Sequence, residues 1–378
     1  MFNFIADPSN FIVNIVLLLV ILVVLVVIHE FGHFVVARRA GVTVHEFGVG
    51  FPPRAKVLGT DSKGTAYTLN WLPIGGFVKL EGEDGGESDD PNAFSRRPLG
   101  TRLAILLAGV FMNILLAFII FAGIAMFADP IAHVRIGEVQ PGTPAAAVGL
   151  QGSTVTGTDA EGNPIWEENG DVIIAIDGQT FPVFDSVTSA TPSLDYLRAH
   201  AGEAVTLTVR SADGSERVVP VTLRVPEPGQ GALGIRVHPA LVQEEVSHGP
   251  VEAIVIGAQR TFQAATLVLR GLGDLITNIG NPPVSGPVGI VDTIGQVRSI
   301  GAPIFLVYLI GLLSANLAVV NALPFPPLDG GRVAVALIQK ISGNRVSEAA
   351  ERLVYLTGFI LLMMLLVYVT FFDIQRLG

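Results

Sequence analysis

The chain has 378 residues, 50% of them hydrophobic and 15% charged, with a mean hydropathy of +0.57, an average that water-soluble domains rarely reach and that calls for several membrane spans. Its net charge of −10 gathers in the middle of the chain, with 33 Asp and Glu against 23 Lys and Arg, and speaks against nucleic-acid binding. Cysteine is absent, which excludes thiol catalysis, disulfides and Cys-ligated metal and leaves His and carboxylate as the available metal ligands.

Met1 to Asn10 carries no Lys or Arg. It lacks the basic start of a cleaved signal peptide, so the first apolar segment is expected to stay as an anchor. From Phe11 to Ile28 there are 18 residues without a charge, and a first span is predicted over Phe11–Val36. Toward its end stands His29-Glu30-Phe31-Gly32-His33. On a helix the two His fall about 40° apart on one face, where they can share a zinc ion with Glu30 beside it as general base. An uncompensated Glu at that depth costs at least ~2.5 kcal/mol, so an ionisable residue there points to function. The plainer alternative is a helix ending at the membrane surface, with these side chains reaching into water.

Val42 to Leu80 is glycine-rich and alternating, which predicts short strands and tight turns. A sheet this apolar can dip into a membrane only where it lines a protein-walled cavity. Glu81 to Asp90 is acidic and reads as exposed loop. Further spans are predicted over Leu103–Phe127, Ala302–Leu323 and Leu353–Phe372. Basic residues set the orientation. Arg38, Arg39, Arg54, Lys56, Lys63, Lys79, Arg96, Arg97 and Arg102 follow the first span, and Arg332, Lys340, Arg345 and Arg352 follow the third. Both loops are therefore expected in the cytoplasm, with the two termini and the long central segment outside. His29 and His33 then lie toward the cytoplasmic face.

The central segment, Asp129 to His238, has globular composition and strand-like runs at Val134–Val139, Asp171–Gly178, Ala204–Arg210 and Arg217–Val225. Three motifs occur in order: Pro141-Gly142-Thr143-Pro144 through Gly149-Leu150, then Gly170-Asp171-Val172-Ile173, then Asp177-Gly178. Together they resemble the bacterial PDZ domain. Gln151 to Asn169 is an insertion against that pattern and is expected as exposed loop. The resemblance implies peptide binding by strand addition, with Gly231-Ala232-Leu233-Gly234-Ile235 as the candidate peptide loop. A domain that only excludes bulky substrates is the alternative. From Ala240 to Asn278 an amphipathic helix is expected, with Ile254, Ala258, Phe262, Ala265, Leu269 and Leu272 on one side, lying on the membrane surface or packed on the bundle.

Two His leave a catalytic zinc one protein ligand short. Asp329, in Asn321-Ala322-Leu323-Pro324-Phe325-Pro326-Pro327-Leu328-Asp329-Gly330-Gly331, sits at the inner end of the third span, level with the His pair. Taken alone, Asp-Gly-Gly is also an ordinary turn. The three prolines break the helix, freeing backbone that only a cavity or neighbouring protein can satisfy.

Together these features closely resemble the site-2 protease family of intramembrane zinc metalloproteases. They are His-Glu-x-x-His in the first span, a glycine-rich strand region, a PDZ domain after the second span, and Asn-x-x-Pro-x-Pro-x-Leu-Asp-Gly near the end of the third. One PDZ domain and four spans resemble the bacterial regulator-of-sigma-E branch. Ser285-Gly286-Pro287-Val288-Gly289 also resembles that family's Gly-x-Pro segment before the third span, though a simple turn would look the same. The resemblance implies His29, His33 and Asp329 as Zn2+ ligands, Glu30 as catalytic base, and Asn321 as a polar group at the substrate or oxyanion. The expected fold class is a polytopic α-helical membrane protein with four transmembrane helices, a membrane-associated β region and an extracytoplasmic PDZ domain. Its parts are expected at 1–128 (two spans, zinc motif and strand loop), 129–238 (PDZ), 239–301 (juxtamembrane) and 302–378 (two spans, third ligand). The expected partners are the lipid bilayer, single-pass transmembrane substrates such as anti-sigma factors or signal-peptide remnants, and a peptide on the PDZ domain. A PDZ-bearing scaffold with an inert metal site is the competing class, against which the intact Glu30 argues. A transporter is a further one, given the broken third helix, but four spans without an internal repeat disfavour it.

Overall fold

The computed structural model describes residues 8–83, 88–158, 164–185, 192–227, 230–238, 242–278, 280, 282, 284–343 and 348–377. Parts of several expectations lie outside that set: residues 1–7 of the segment before the first span, the middle of the 81–90 loop, residues 159–163 of the insertion, residues 239–241, 279, 281 and 283 of the juxtamembrane part, and Arg345 of the second basic loop.

Helix α1, Pro8–Arg39, runs through the first apolar stretch and ends on Arg38 and Arg39, which complement the negative end of its dipole. Val42 N donates to Ala37 O and Gly41 N to Arg38 O, with Gly41 at φ 72. This two-bond cap needs a left-handed residue, which glycine supplies without a steric cost. Strands β1 (Val44–Thr60) and β2 (Ala66–Leu80) follow. Both bend, so residues 46–49 pair with 66–69 on one side and with 76–79 on the other. The far edge of 76–80 carries no further strand among the described residues.

Helix α2 is Leu99–Phe127. The central segment then forms β3 (Asp129–Val139), α3 (Pro144–Ala147), β4 (Val155–Thr158), β5 (Pro164–Trp166), β6 (Val172–Ile176), α4 (Pro192–Ala199), β7 (Ala204–Arg210), β8 (Glu216–Thr222), β9 (Ile235–Val237) and β10 (Val242–Val246). The remaining helices are α5 (Pro250–Thr277), α6 (Pro287–Ser299), α7 (Pro303–Ala322), α8 (Asp329–Ser342) and α9 (Glu348–Leu377). Among the described residues, four helices are long and apolar enough to cross a membrane: Asn10–Arg39, Leu99–Phe127, Pro303–Ala322 and Ala349–Leu377. The protein is a multi-pass membrane protein.

The chain divides into two compact units, one of residues 1–122 and 257–378, the other of residues 123–256. In the first, Leu18, Ile21 and Leu25 of α1 pack with Val291 and Ile294 of α6 and Leu309 of α7. Lipid is as apolar as these side chains, so such contacts hold by close packing and by hydrogen bonds such as Arg298 to Asn14 rather than by escape from water. A second cluster joins Ala37, Val42, Val44 and Leu80 to Phe94, Ile105 and Leu106, tying the hairpin to the end of α1 and the start of α2.

The second unit is built on an antiparallel sheet of order β10-β3-β6-β7-β8, with β9 also on β3. Val205, Leu207 and Val209 alternate inward along β7 and join Ile136, Ile173 and Ile176 in its core, as a period of two requires for a sheet with one covered face.

Three expectations need correction. Residues 242–246 form strand β10 against β3, from Val242↔His133 to Val246↔Asp129, where helix was expected. Arg210 and His133 hold the Glu244 carboxylate there, a cross-strand pairing that no local pattern reveals. The insertion is exposed but not plain loop, since β4 and β5 pair and Trp166 lies against Gly137 of β3. At the segment for which a simple turn was the alternative, Pro287 opens α6, and Gly286 N and Gly289 N donate to the Asp373 carboxylate of α9. The segment between the third and fourth spans is not only a loop; it holds α8.

Helix α5 carries Ile254, Phe262 and Leu269 outward, at 53%, 71% and 52% exposure, while Arg260 and Ala264 are buried. A helix turned apolar side out is suited to lipid. The Gly231–Ile235 segment is mostly internal. Ala232 and Leu233 are buried, and the carbonyls of Ala232, Leu233 and Gly234 accept from Arg224, Ala145 and Gln140 amides.

Candidate metal centre

His29 and His33 stand one turn apart on α1 with their rings 4.8 Å apart, edge to face. Both are buried. Asp329 is the first residue of α8 and arrives from 300 positions away: its Oδ2 lies 2.8 Å from His29 Nε2 and 3.3 Å from His33 Nε2. The two Nε2 atoms are 3.1 Å apart. A tetrahedral ion with bonds of about 2.0–2.1 Å separates its donor atoms by about 3.3 Å. Three donors of the right chemistry thus converge at near the spacing that one zinc-sized ion imposes, and among the described residues this is the group able to hold a metal.

Local sequence explains how each donor arrives. Gly32 lies between the His residues, and a Cβ there would press on the Ala108 carbonyl, 2.7 Å from its carbon. Its absence lets α1 and α2 touch at this turn. Across the contact, a Cβ on Gly109 would sit 2.6 Å from His29 Nε2 and closer still to His33 Nε2. That glycine leaves open the space in front of both imidazoles, where a shared ion would sit. Asp329 is set by the next two glycines: a Cβ on Gly330 would meet the end of α7 at Ala322, and one on Gly331 would lie 2.6 Å from Phe325 C. The Asp-Gly-Gly start of α8 can therefore fold back tightly under α7.

His33 Nδ1 donates to the Ile105 carbonyl at 2.7 Å. A carbonyl only accepts, so this bond leaves the Nε2 lone pair toward the other two donors, the usual outer support of a metal-binding His. The residues fit a zinc ion in donor set, spacing and support.

Glu30 lies against the strand region: its Cγ is 3.7 Å from the position of a Cβ built on Gly76, on the strand edge described above. Asn321 stands half-buried on the last turn of α7, one short loop before Asp329. Beside the centre, Arg332 pairs with Glu83, which ties α8 to the end of the hairpin.

Three contributors escape a motif search: the Ile105 carbonyl, Gly109 and Asn113, all on α2. Asn113 is fully buried, with its side-chain amide 3.4 Å from His29 Nδ1. Its signal in the sequence is that of a lone polar residue in the uncharged run from Leu103 to Phe127.

A multi-pass membrane protein with His-Glu-x-x-His and a distant carboxylate gathered at one point has the build of a membrane-embedded metallopeptidase. The chain belongs to Peptidase family M50, whose model matches residues 17–365. Among its relatives is a Clostridium acetobutylicum protein, provisionally named a zinc metalloprotease, 32% identical over 96% of this chain and 97% of its own. Zinc metalloprotease RasP of Oceanobacillus iheyensis is 26% identical over 93% of this chain and 96% of its own. A solved PDZ domain of the SdrC-like protein of Listeria innocua is similar at 22% identity and a TM-score of 0.20, over 29% of this chain and 96% of that one.

Proposed function

We propose that this protein is an intramembrane zinc endopeptidase that cuts peptide bonds within or near the transmembrane helices of single-pass membrane proteins. The observation that carries this reading is the convergence of His29, His33 and Asp329 on one point, with the two His inside a membrane-length helix. Family membership and the zinc metalloprotease names of its relatives support the metal and the reaction class.

Those three residues would hold the ion. Bound zinc supplies Lewis acidity, which acidifies water and polarises a carbonyl. Glu30, which is not a ligand, takes the proton of the attacking water and delivers it to the leaving amide nitrogen. Asn321 is assigned to the substrate carbonyl or its oxyanion. A helical substrate resists attack because its carbonyls are bonded within the helix, so it must unwind locally. The unpaired edge of 76–80, which passes Glu30 at Gly76, suits an extended segment added as a further strand.

In this reading the basic loops face the cytoplasm, the zinc lies toward that side, and the PDZ-type unit and both termini lie outside. The unit at 129–238 then acts as a gate that turns away substrates with bulky outer domains. The reading is tested by zinc analysis of the purified protein together with cleavage of a single-pass membrane peptide in bilayers. Zinc near one per chain and cleavage lost on chelation are expected. A zinc-free protein, or cleavage indifferent to chelator, would end it.

A further inference from the structure

The two imidazoles are held differently from behind. The Ile105 carbonyl fixes His33 with its proton on Nδ1. His29 instead faces the side-chain amide of Asn113, which can donate through Nδ2 or accept through Oδ1. Nδ2 lies 3.4 Å from His29 Nδ1, and the buried Oδ1 has no hydrogen-bond partner among the described residues. That orientation suits one tautomer only: Nδ2–H donates to the Nδ1 lone pair, and the His29 proton sits on Nε2, donated to Asp329 Oδ2 at 2.8 Å. In that tautomer His29 cannot ligate a metal, because its Nε2 carries the proton.

Turning the amide over puts Oδ1 where Nδ2 stands. It then accepts from Nδ1–H, and the Nε2 lone pair is released toward His33 and Asp329. The backbone of Asn113 need not move for this, because its carbonyl accepts from Ser314 Oγ at 2.8 Å and both residues are fully buried.

We propose that Asn113 is a positioning residue that sets the tautomer of His29, its amide oxygen accepting from Nδ1–H so that Nε2 is free to ligate. The Ile105 carbonyl holds His33 in the ligating tautomer, and Asn113 Oδ1 would hold His29 in its own. The inference rests on the zinc site proposed above.

The test is zinc retention by the purified full-length protein against a chelator, which does not depend on turnover. Asn113→Leu keeps the branched shape but offers no acceptor, and zinc affinity should fall about 10- to 100-fold, the usual cost of losing an outer-shell partner. Asn113→Asp can only accept, and should hold zinc at least as tightly as the wild type. Rescue by Asp but not Leu separates tautomer control from simple packing. Wild-type zinc affinity in Asn113→Leu, or loss in Asn113→Asp as deep as in Asn113→Leu, overturns the proposal. If Asn113→Leu does not fold, Asn113→Asp decides alone, by zinc held or lost. A wild type without zinc would instead sink the metal site itself.

Discussion

Replacing Gly109 with Ala tests the metal centre through a residue that bears no metal-binding group. The new methyl carbon would start 2.6 Å from His29 Nε2 and nearer to His33 Nε2, whereas non-bonded heavy atoms settle at about 3.5 Å or more. The imidazoles or α2 must therefore give by about 1 Å, and a misplacement of that size costs on the order of 100-fold in rate. In stability, Ala in a helix interior gains about 0.8–1 kcal/mol over Gly, against about 1–3 kcal/mol lost to overpacking. The fold should survive with a small net loss while zinc is held poorly. Gly123→Ala is the control on the same helix, since nothing lies within 4 Å of its Cβ position; it should be neutral or slightly stabilising. The assay is zinc per chain after dialysis against chelator, with thermal unfolding of both variants. Full zinc retention and unchanged cleavage in Gly109→Ala would refute the placement of the ion between the imidazoles.

Asp329→Ala should lower zinc occupancy and abolish cleavage; full metal content and activity would remove Asp329 from the site. Cysteines introduced at Lys56 and Lys340 should react only with reagents admitted to the cytoplasm and one at Asp213 only with external reagents, an assay simplified by the absence of native cysteine; reversed labelling would overturn the orientation. Replacing residues 137–236 with a flexible bridge should preserve cleavage of substrates with short outer tails and relax discrimination against large ones. Loss of short-tail cleavage in a folded, zinc-loaded deletion would end the gating idea. At the tip of the hairpin, the Arg38 guanidinium holds the Asp61 carboxyl down at about 2 from an ordinary 3.8. Because that value is depressed, the pair's contribution is complete above the ordinary value and disappears as pH falls through about 2. Asp61→Asn should thus make the β1–β2 turn more open to protease at neutral pH, and equal cleavage of the two proteins would count against the anchor.

What was legible in the sequence is what depends on local composition. The four long apolar helices, the His-Glu-x-x-His spacing and the alternation that makes β7 a strand all act within one element, so their pattern suffices. Asp329 was reachable from 300 residues away because its proline- and glycine-rich surroundings are odd at the end of a membrane helix. Gly109 was not, since its role comes from the α1–α2 crossing, and in sequence it is one small residue in an apolar run. Asn113 could have been singled out as polar in that run, but nothing local says which imidazole it meets. Strand β10, with Gln243, Glu244 and Glu245 at its centre, is polar by composition and becomes a strand through β3. Asp373 lay one residue past the expected fourth span, and its buried place under α6 depends on a contact with Gly286 and Gly289.

In the proposed mechanism Glu30 moves protons beside a zinc it does not bind. Zinc content and cleavage rate in Glu30→Gln beside the wild type, with a single-pass membrane substrate in the same bilayers, put that role to the test. Zinc and thermal stability close to wild type are expected, with cleavage slower by about 100- to 10,000-fold, the range that a positioned general base contributes. Cleavage near the wild-type rate in a zinc-loaded Glu30→Gln protein would contradict it.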